Sequence, residues 1–159
     1  MDNQQERTPS LDFVAGLAVG EGCFYLAVMK VRNRGGTKRA NASGGYRITP
    51  GFRLFMDDRE SILLAAQTLK EAGLPVYLGE RKDGSLGIHA TGAKRVKRYV
   101  DTLLPLLTGT KRQAASKVGE FIERRLARPH GANYTDEELQ LVRDLRQING
   151  NRNGRKNPV

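Results

Sequence analysis

Cysteine appears once in 159 residues, at Cys23, so no disulfide can form within the chain and the usage is compatible with a reducing interior. Histidine is nearly as scarce. One Cys and two His, His89 and His130, do not make a usual ligand set for structural zinc. No apolar run is long enough to span a bilayer. The amino terminus, MDNQQERTPS, is short and polar with no signal-peptide pattern, so the expected location is intracellular and not secreted. The most informative scarcity is of acid. From Gly22 to Met56 there is no Asp or Glu, while Lys30, Arg32, Arg34, Lys38, Arg39, Arg47 and Arg53 all fall there. Over the whole chain 27 Lys and Arg stand against 17 Asp and Glu, a formal net charge of +10. Such a charge attracts polyanions, and nucleic acid is expected rather than membrane, because no long basic amphipathic helix is present.

The length predicts a single domain over residues 1–148, large enough to bury a core, followed by a basic, flexible tail at 149–159 that frays or follows phosphate. CFYLAVMKVR is rich in aromatic and β-branched residues and reads as a strand. YRITPGFRLFM reads as its partner across a Gly-, Asn- and Ser-rich loop from Asn33 to Gly45. In the second strand Ile48, Phe52 and Leu54 share one face, and Arg47, Thr49 and Arg53 share the other. A sheet with one apolar and one basic face can rest on helices and lie against DNA at once, where Arg and Lys read guanine edges and neutralise phosphate.

Further on, DRESILLAAQTLKEA has Ile62, Ala65, Ala66 and Leu69 at helical spacing and stops at Gly73. A second hairpin follows, VYLGER and SLGIHAT around Lys82-Asp83-Gly84. Tyr77, Gly79, Arg81, Gly87 and His89 are positioned to continue the basic face, with Lys82 at the turn. His89 reads as a groove contact or an exposed side chain, since nothing in the sequence pairs it with an acid. Helices are expected over 93–107, 111–126 and 135–148, the last opened by a capping box of Thr135 and Glu138.

The stretch that organises the chain is SLDFVAGLAVGEGCF, from Ser10 to Phe24. As a helix it has Thr8 or Ser10 as cap, Pro9 in the first turn and Gly22 as the stop. Gly16 and Gly20 lie one turn apart, and each costs about 1 kcal/mol of helix propensity relative to Ala. Close approach of another helix is the usual explanation. Glu21 falls in the last turn, where the helix dipole disfavours a carboxylate, so a compensating cation is expected. If the glycine face packs on an identical helix about a two-fold axis, two Glu21 side chains converge and invite divalent metal.

VAGLAVGEG at 14–22, followed by Cys23 and Phe24, resembles the LAGLIDADG motif of homing endonucleases, with Glu21 at its eighth position. Val19 departs from the pattern, standing where the family usually has an acid. The predicted element order is similar to the family's αββαββα core through about Ile122, so the resemblance implies an α+β fold with an antiparallel sheet saddle and helices on one face. With a single motif copy it also implies a homodimer joined through Phe13, Gly16, Leu17 and Gly20, and a metal site for Mg²⁺ at Glu21 and Gly20. The implied activity is a site-specific double-strand break with 3′ overhangs in a long pseudo-palindromic DNA target, the activity behind intron homing, carried out wherever the host DNA lies. The run TKRQA looks like the family's basic loop and implies Lys111 as the catalytic cation, with Arg112 as its substitute. The resemblance also implies a Gln near the end of the second strand to orient water; the corresponding residue is Met56, so either Asp57 or ordered water takes that role, or cleavage is impaired. An RNA maturase or a non-cleaving DNA-binding protein on the same fold is the alternative.

Overall fold

Two long strands that alternate buried and exposed residues set the architecture. The computed structural model describes residues 9–30 and 45–150. Helix α1 (Leu11–Glu21) runs directly into β1 (Gly22–Lys30), which pairs with β2 (Tyr46–Met56). Helix α2 (Arg59–Glu71) leads to the short hairpin β3 (Tyr77–Glu80) and β4 (Leu86–Thr91). Helices α3 (Ala93–Leu103), α4 (Gly109–Leu126) and α5 (Asp136–Asn149) complete the chain. The sheet is antiparallel throughout, in the order β1-β2-β4-β3.

Register explains the two faces. Phe24 pairs with Phe52, Phe52 with Ala90, and Leu54 with Ile88, and all of these side chains are buried under the helices. Phe24 packs tilted on Phe52 and Phe52 stacks on Tyr99, with ring centroids 4.7 and 5.0 Å apart. Tyr99 has its hydroxyl satisfied as well: it donates to the Pro75 carbonyl at 2.7 Å, and burial pushes its pKa up to about 12. Pro50 lies inside β2 without breaking a ladder. β4 begins its pairing only at Gly51, so the missing proline N–H falls on an unpaired edge, where the Pro50 carbonyl instead accepts from Gly92 N–H at 3.0 Å. Further along that edge the Ile48 N–H donates to the Tyr134 hydroxyl at 2.8 Å.

Local expectations met three corrections. Gly22 does end α1, yet its φ of −75° is extended and not left-handed. Glycine is needed there for space, because a Cβ would sit 2.6 Å from the Ala18 carbonyl oxygen. Ser10 occupies the N-cap, but its side chain makes no capping bond; Thr8 lies outside the described residues. The helix expected over 93–107 ends at Leu103 and tightens into a 3₁₀ turn, Leu104–Leu106, because Pro105 cannot donate to a continuing α-helix. Helix α5 is capped by Thr135 and Glu138 as its sequence requires, and it runs one residue past the expected domain end. Among the described residues no helix is long and apolar enough to cross a membrane.

Candidate functional site

The sheet face away from the helices is built from every second residue: Cys23, Tyr25 and Met29 of β1; Arg47, Thr49, Arg53 and Phe55 of β2; His89 and Thr91 of β4; and Tyr77 of β3. Among the described residues it carries no Asp or Glu. Arg47 and Arg53 are exposed on it, and Arg81 continues it from the end of β3. Register places His89 opposite both Arg53 and Tyr77, with the Tyr77 ring centroid 6.5 Å from its own. Lys82 is exposed in the adjoining turn. Lys30 differs: it pairs with Tyr46 on the alternate row, so β1 directs it to the helix side of the hairpin end. Arg32, Arg34, Lys38 and Arg39 lie outside the described residues.

The other half of the site is the end of α1. Val14, Ala15 and Ala18 bury one side of the helix, leaving Gly16, Gly20 and Glu21 exposed and Phe13 and Leu17 half-buried. A Cβ at either Gly16 or Gly20 would meet nothing within 4 Å. The chain's own packing therefore does not explain these two glycines. Glu21 is the last helical residue, and the next carbonyl, that of Gly22, accepts a hydrogen bond from the Lys111 ammonium of α4. Lys111 is half-buried on arrival, whereas Arg112 beside it is exposed and makes no such contact. One residue pair farther along, the Asn149 amide donates to the Phe24 carbonyl at 2.9 Å, so the end of α5 closes the same corner. Met56 ends β2 half-buried against the core, and Asp57 after it is exposed.

Sequence reasoning missed three contributors. Asn149 was assigned to the tail, and only the packing of α5 on β1 brings it to Phe24. Tyr25 and Phe55 were passed over as strand residues, although each lies against a cationic group: the Arg53 guanidinium carbon is 5.3 Å from the Tyr25 centroid and that of Arg81 is 3.9 Å from Phe55. The available signal was an aromatic residue opposite glycine, Tyr25 with Gly51 and Phe55 with Gly87, but it requires the register.

The donors at the α1 end suit a hard cation. Glu21 offers a carboxylate and the helix terminus offers backbone carbonyls, all oxygen ligands of the kind Mg²⁺ prefers. They are too few alone, since no group of three or more His, Cys, Asp or Glu gathers among the described residues.

No protein-family model and no curated protein matches the sequence. Solved structures do match. Over 92% of this chain and 85% of its own, the homing endonuclease I-CvuI, solved in complex with DNA, superposes with a TM-score of 0.68 at 18% identity. The archaeal intron-encoded homing endonuclease I-Vdi141I, complexed with DNA, gives 0.69 at 14% identity, covering 92% of this chain and 88% of that one. The LAGLIDADG homing endonuclease I-LtrWI, bound to target DNA, gives 0.68 at 18% identity over 92% of this chain, which spans only 46% of the I-LtrWI chain. This chain has the fold of the LAGLIDADG homing endonucleases.

Proposed function

We propose that the chain is one subunit of a homodimeric, Mg²⁺-dependent DNA endonuclease of the homing type, which makes a double-strand break with 3′ overhangs in a pseudo-palindromic target. The observation that carries this is the Lys111 ammonium held on the Gly22 carbonyl, one residue after Glu21, at the end of α1 where the acid-free sheet face begins. An anionic phosphate entering there finds a cation already held in place, and the Glu21 carboxylate beside it needs a cation of its own. Two-fold symmetry supplies what one chain lacks, by bringing a second Glu21 to the first. That this chain spans about half of I-LtrWI supports the same arithmetic.

In this reading Glu21 and the Gly20 carbonyl hold the metal together with the same groups of a second copy. When bound, the metal supplies stabilisation of charge on the phosphoryl and departing oxygens and makes water a usable nucleophile at neutral pH. Lys111 contributes a fixed positive charge near the scissile phosphate without further reorganisation. Arg47, Arg53, Arg81 and Lys82 hold the duplex, and Arg32, Arg34, Lys38 and Arg39, which lie outside the described residues, are further candidate contacts; Lys30, on the helix side, is not one of them. The protein acts inside the cell, with the host DNA, and the break initiates intron mobility.

The test is cleavage of a plasmid carrying the intron-free sequence around this reading frame's insertion point. A discrete double-strand break in Mg²⁺ that disappears in EDTA is the expected result; intact plasmid under tight dimeric binding would overturn it. That second outcome is the one an RNA maturase or a non-cleaving binder predicts. Met56 is the observation in its favour, since a half-buried thioether at the end of β2 cannot orient water as an amide would.

The dimer has its own test. Both glycines are exposed, a Cβ at either meets nothing within 4 Å among the described residues beyond its own helix backbone, and Leu there should raise helix propensity by up to about 1 kcal/mol. Gly16→Leu and Gly20→Leu are therefore expected to fold at least as stably as the parent while sedimenting as monomers. Dimers of unchanged affinity would place the interface elsewhere.

A further inference from the structure

Three positions on the open sheet face that would otherwise carry side chains are glycine: Gly51, Gly79 and Gly87. Each gap is filled from a neighbouring strand. A Cβ at Gly51 would lie 2.2 Å from Tyr25 Cζ, and one at Gly87 would lie 2.3 Å from Phe55 Cδ1. Both rings thus lie down over the backbone, whereas side chains on a sheet usually stand roughly perpendicular to it. Phe55 reaches across β4 as far as β3, where its Cζ is 3.8 Å from the place of a Gly79 Cβ. His89 covers the rest of that gap, at 3.2 Å.

On this low aromatic floor rest two guanidinium groups, Arg53 over Tyr25 and Arg81 over Phe55. Neither guanidinium has an ion-pair or hydrogen-bond partner among the described residues. The arginine ion pairs found there use Arg59, Arg124, Arg125 and Arg128. Glu80, the acid nearest Arg81 in sequence, pairs instead with Arg59 at 3.3 Å, and Asp83 has its carboxylate engaged by the Ser85 N–H and hydroxyl. Arg47, by contrast, stands on the same face with no ring beneath it among the described residues.

We propose, on the reading of this face as a duplex-DNA surface, that Arg53 and Arg81 each select a guanine in the major groove, and that Tyr25 and Phe55 are the positioning residues that make them selective. An arginine on a free stem contacts phosphate and base alike. A guanidinium resting on a ring has lost much of its rotational freedom before DNA arrives, and its in-plane N–H donors stay available for the N7 and O6 acceptors of guanine. The glycines are integral to the device. They allow the rings to lie flat, which keeps the arginines low enough for the groove floor to reach them. Arg47 lacks a ring and serves phosphate.

The experiment is selection of bound duplexes from a randomised library in EDTA, so that enrichment does not depend on cleavage. The parent protein should enrich a palindrome with two strongly preferred G·C pairs in each half. Arg53→Ala and Arg81→Ala should each flatten one of them, with a loss of about ten- to a hundredfold in discrimination, the range of one bidentate base contact. Tyr25→Leu should flatten the same position as Arg53→Ala, and Phe55→Leu the same position as Arg81→Ala. Affinity for unselected duplex should hold within about twofold, because the charges are unchanged. Tyr25→Phe and Phe55→Tyr restore the face of each ring and should restore the preference, a rescue that a merely structural role of the ring edge or hydroxyl would not give. Undiminished guanine preference in Tyr25→Leu and Phe55→Leu overturns the inference, as does a selected site without guanine at those positions. Failure to retain any duplex overturns the underlying DNA reading as well.

Discussion

Glu21→Gln is expected to abolish strand cleavage while leaving the protein dimeric and bound to its DNA. Glu21 is exposed, makes no ion pair among the described residues, and ends a helix whose core contacts come from Val14, Ala15 and Ala18, so an isosteric amide disturbs no packing. What it removes is a negative charge from the end of α1 proposed to hold the metal. Metal assistance is worth several kcal/mol of transition-state stabilisation, and at about 1.4 kcal/mol per tenfold this makes the expected loss about a thousandfold or more in rate. Binding should move the other way. Losing a carboxylate next to phosphate lowers repulsion, so affinity measured in EDTA should stay equal or rise slightly. Single-turnover cleavage and filter binding on the same target separate the two effects. A variant that still cuts within about tenfold of the parent would remove Glu21 from the chemistry.

Glu138→Ala is expected to cost about 3 kcal/mol of stability. This carboxylate is 1% exposed, yet it accepts from Arg125 at 3.1 Å and Arg128 at 2.8 Å, and it closes the capping box that starts α5. Removing it leaves two guanidinium groups near the protein interior without their anion, and frees the first turn of the helix. Arg125 retains the Ala132 carbonyl and the Tyr134 ring, and Arg128 is a third exposed, so the cost falls at the lower end of the range for a broken buried pair. Urea denaturation monitored by circular dichroism should show the midpoint fall at unchanged slope. Glu138→Gln, which can keep the cap, should lose less. Because α5 lies on β1, the damage is global stability and not chemistry: the fraction that remains folded should cut normally. A loss below about 1 kcal/mol would mean that the arginines find water instead.

Most of the secondary structure was legible because it depends on residues within a few positions of one another. YRITPGFRLFM alternates as far as Leu54 and forms β2 over the same eleven residues. DRESILLAAQTLKEA carries its apolar stripe at helical spacing and forms α2, and the structure adds a cap, the Ser61 N–H donating to Asp58. Alternation also placed Arg47 and Arg53 on one face before any pairing was known. Gly22 shows the limit of such reasoning even locally. A glycine after a helix suggests a left-handed stop, whereas here it is needed because β1 leaves the helix so abruptly that a Cβ would strike Ala18.

The site itself divides along the same line. The sequence alone determined the glycine face of α1, the acid at its end, the acid-free basic strands and hence the attraction to a polyanion, since each is a property of spacing or composition. Only the tertiary structure decided that Lys111, 89 residues away, reaches the carbonyl after Glu21 and that Asn149, 125 residues from Phe24, closes the same corner. It also decided which rings lie under Arg53 and Arg81. Periodicity fixes which side of an element a residue occupies, but how far a helix slides along a strand before its side chains interlock is set by packing volume across the whole core, and no local pattern encodes that distance.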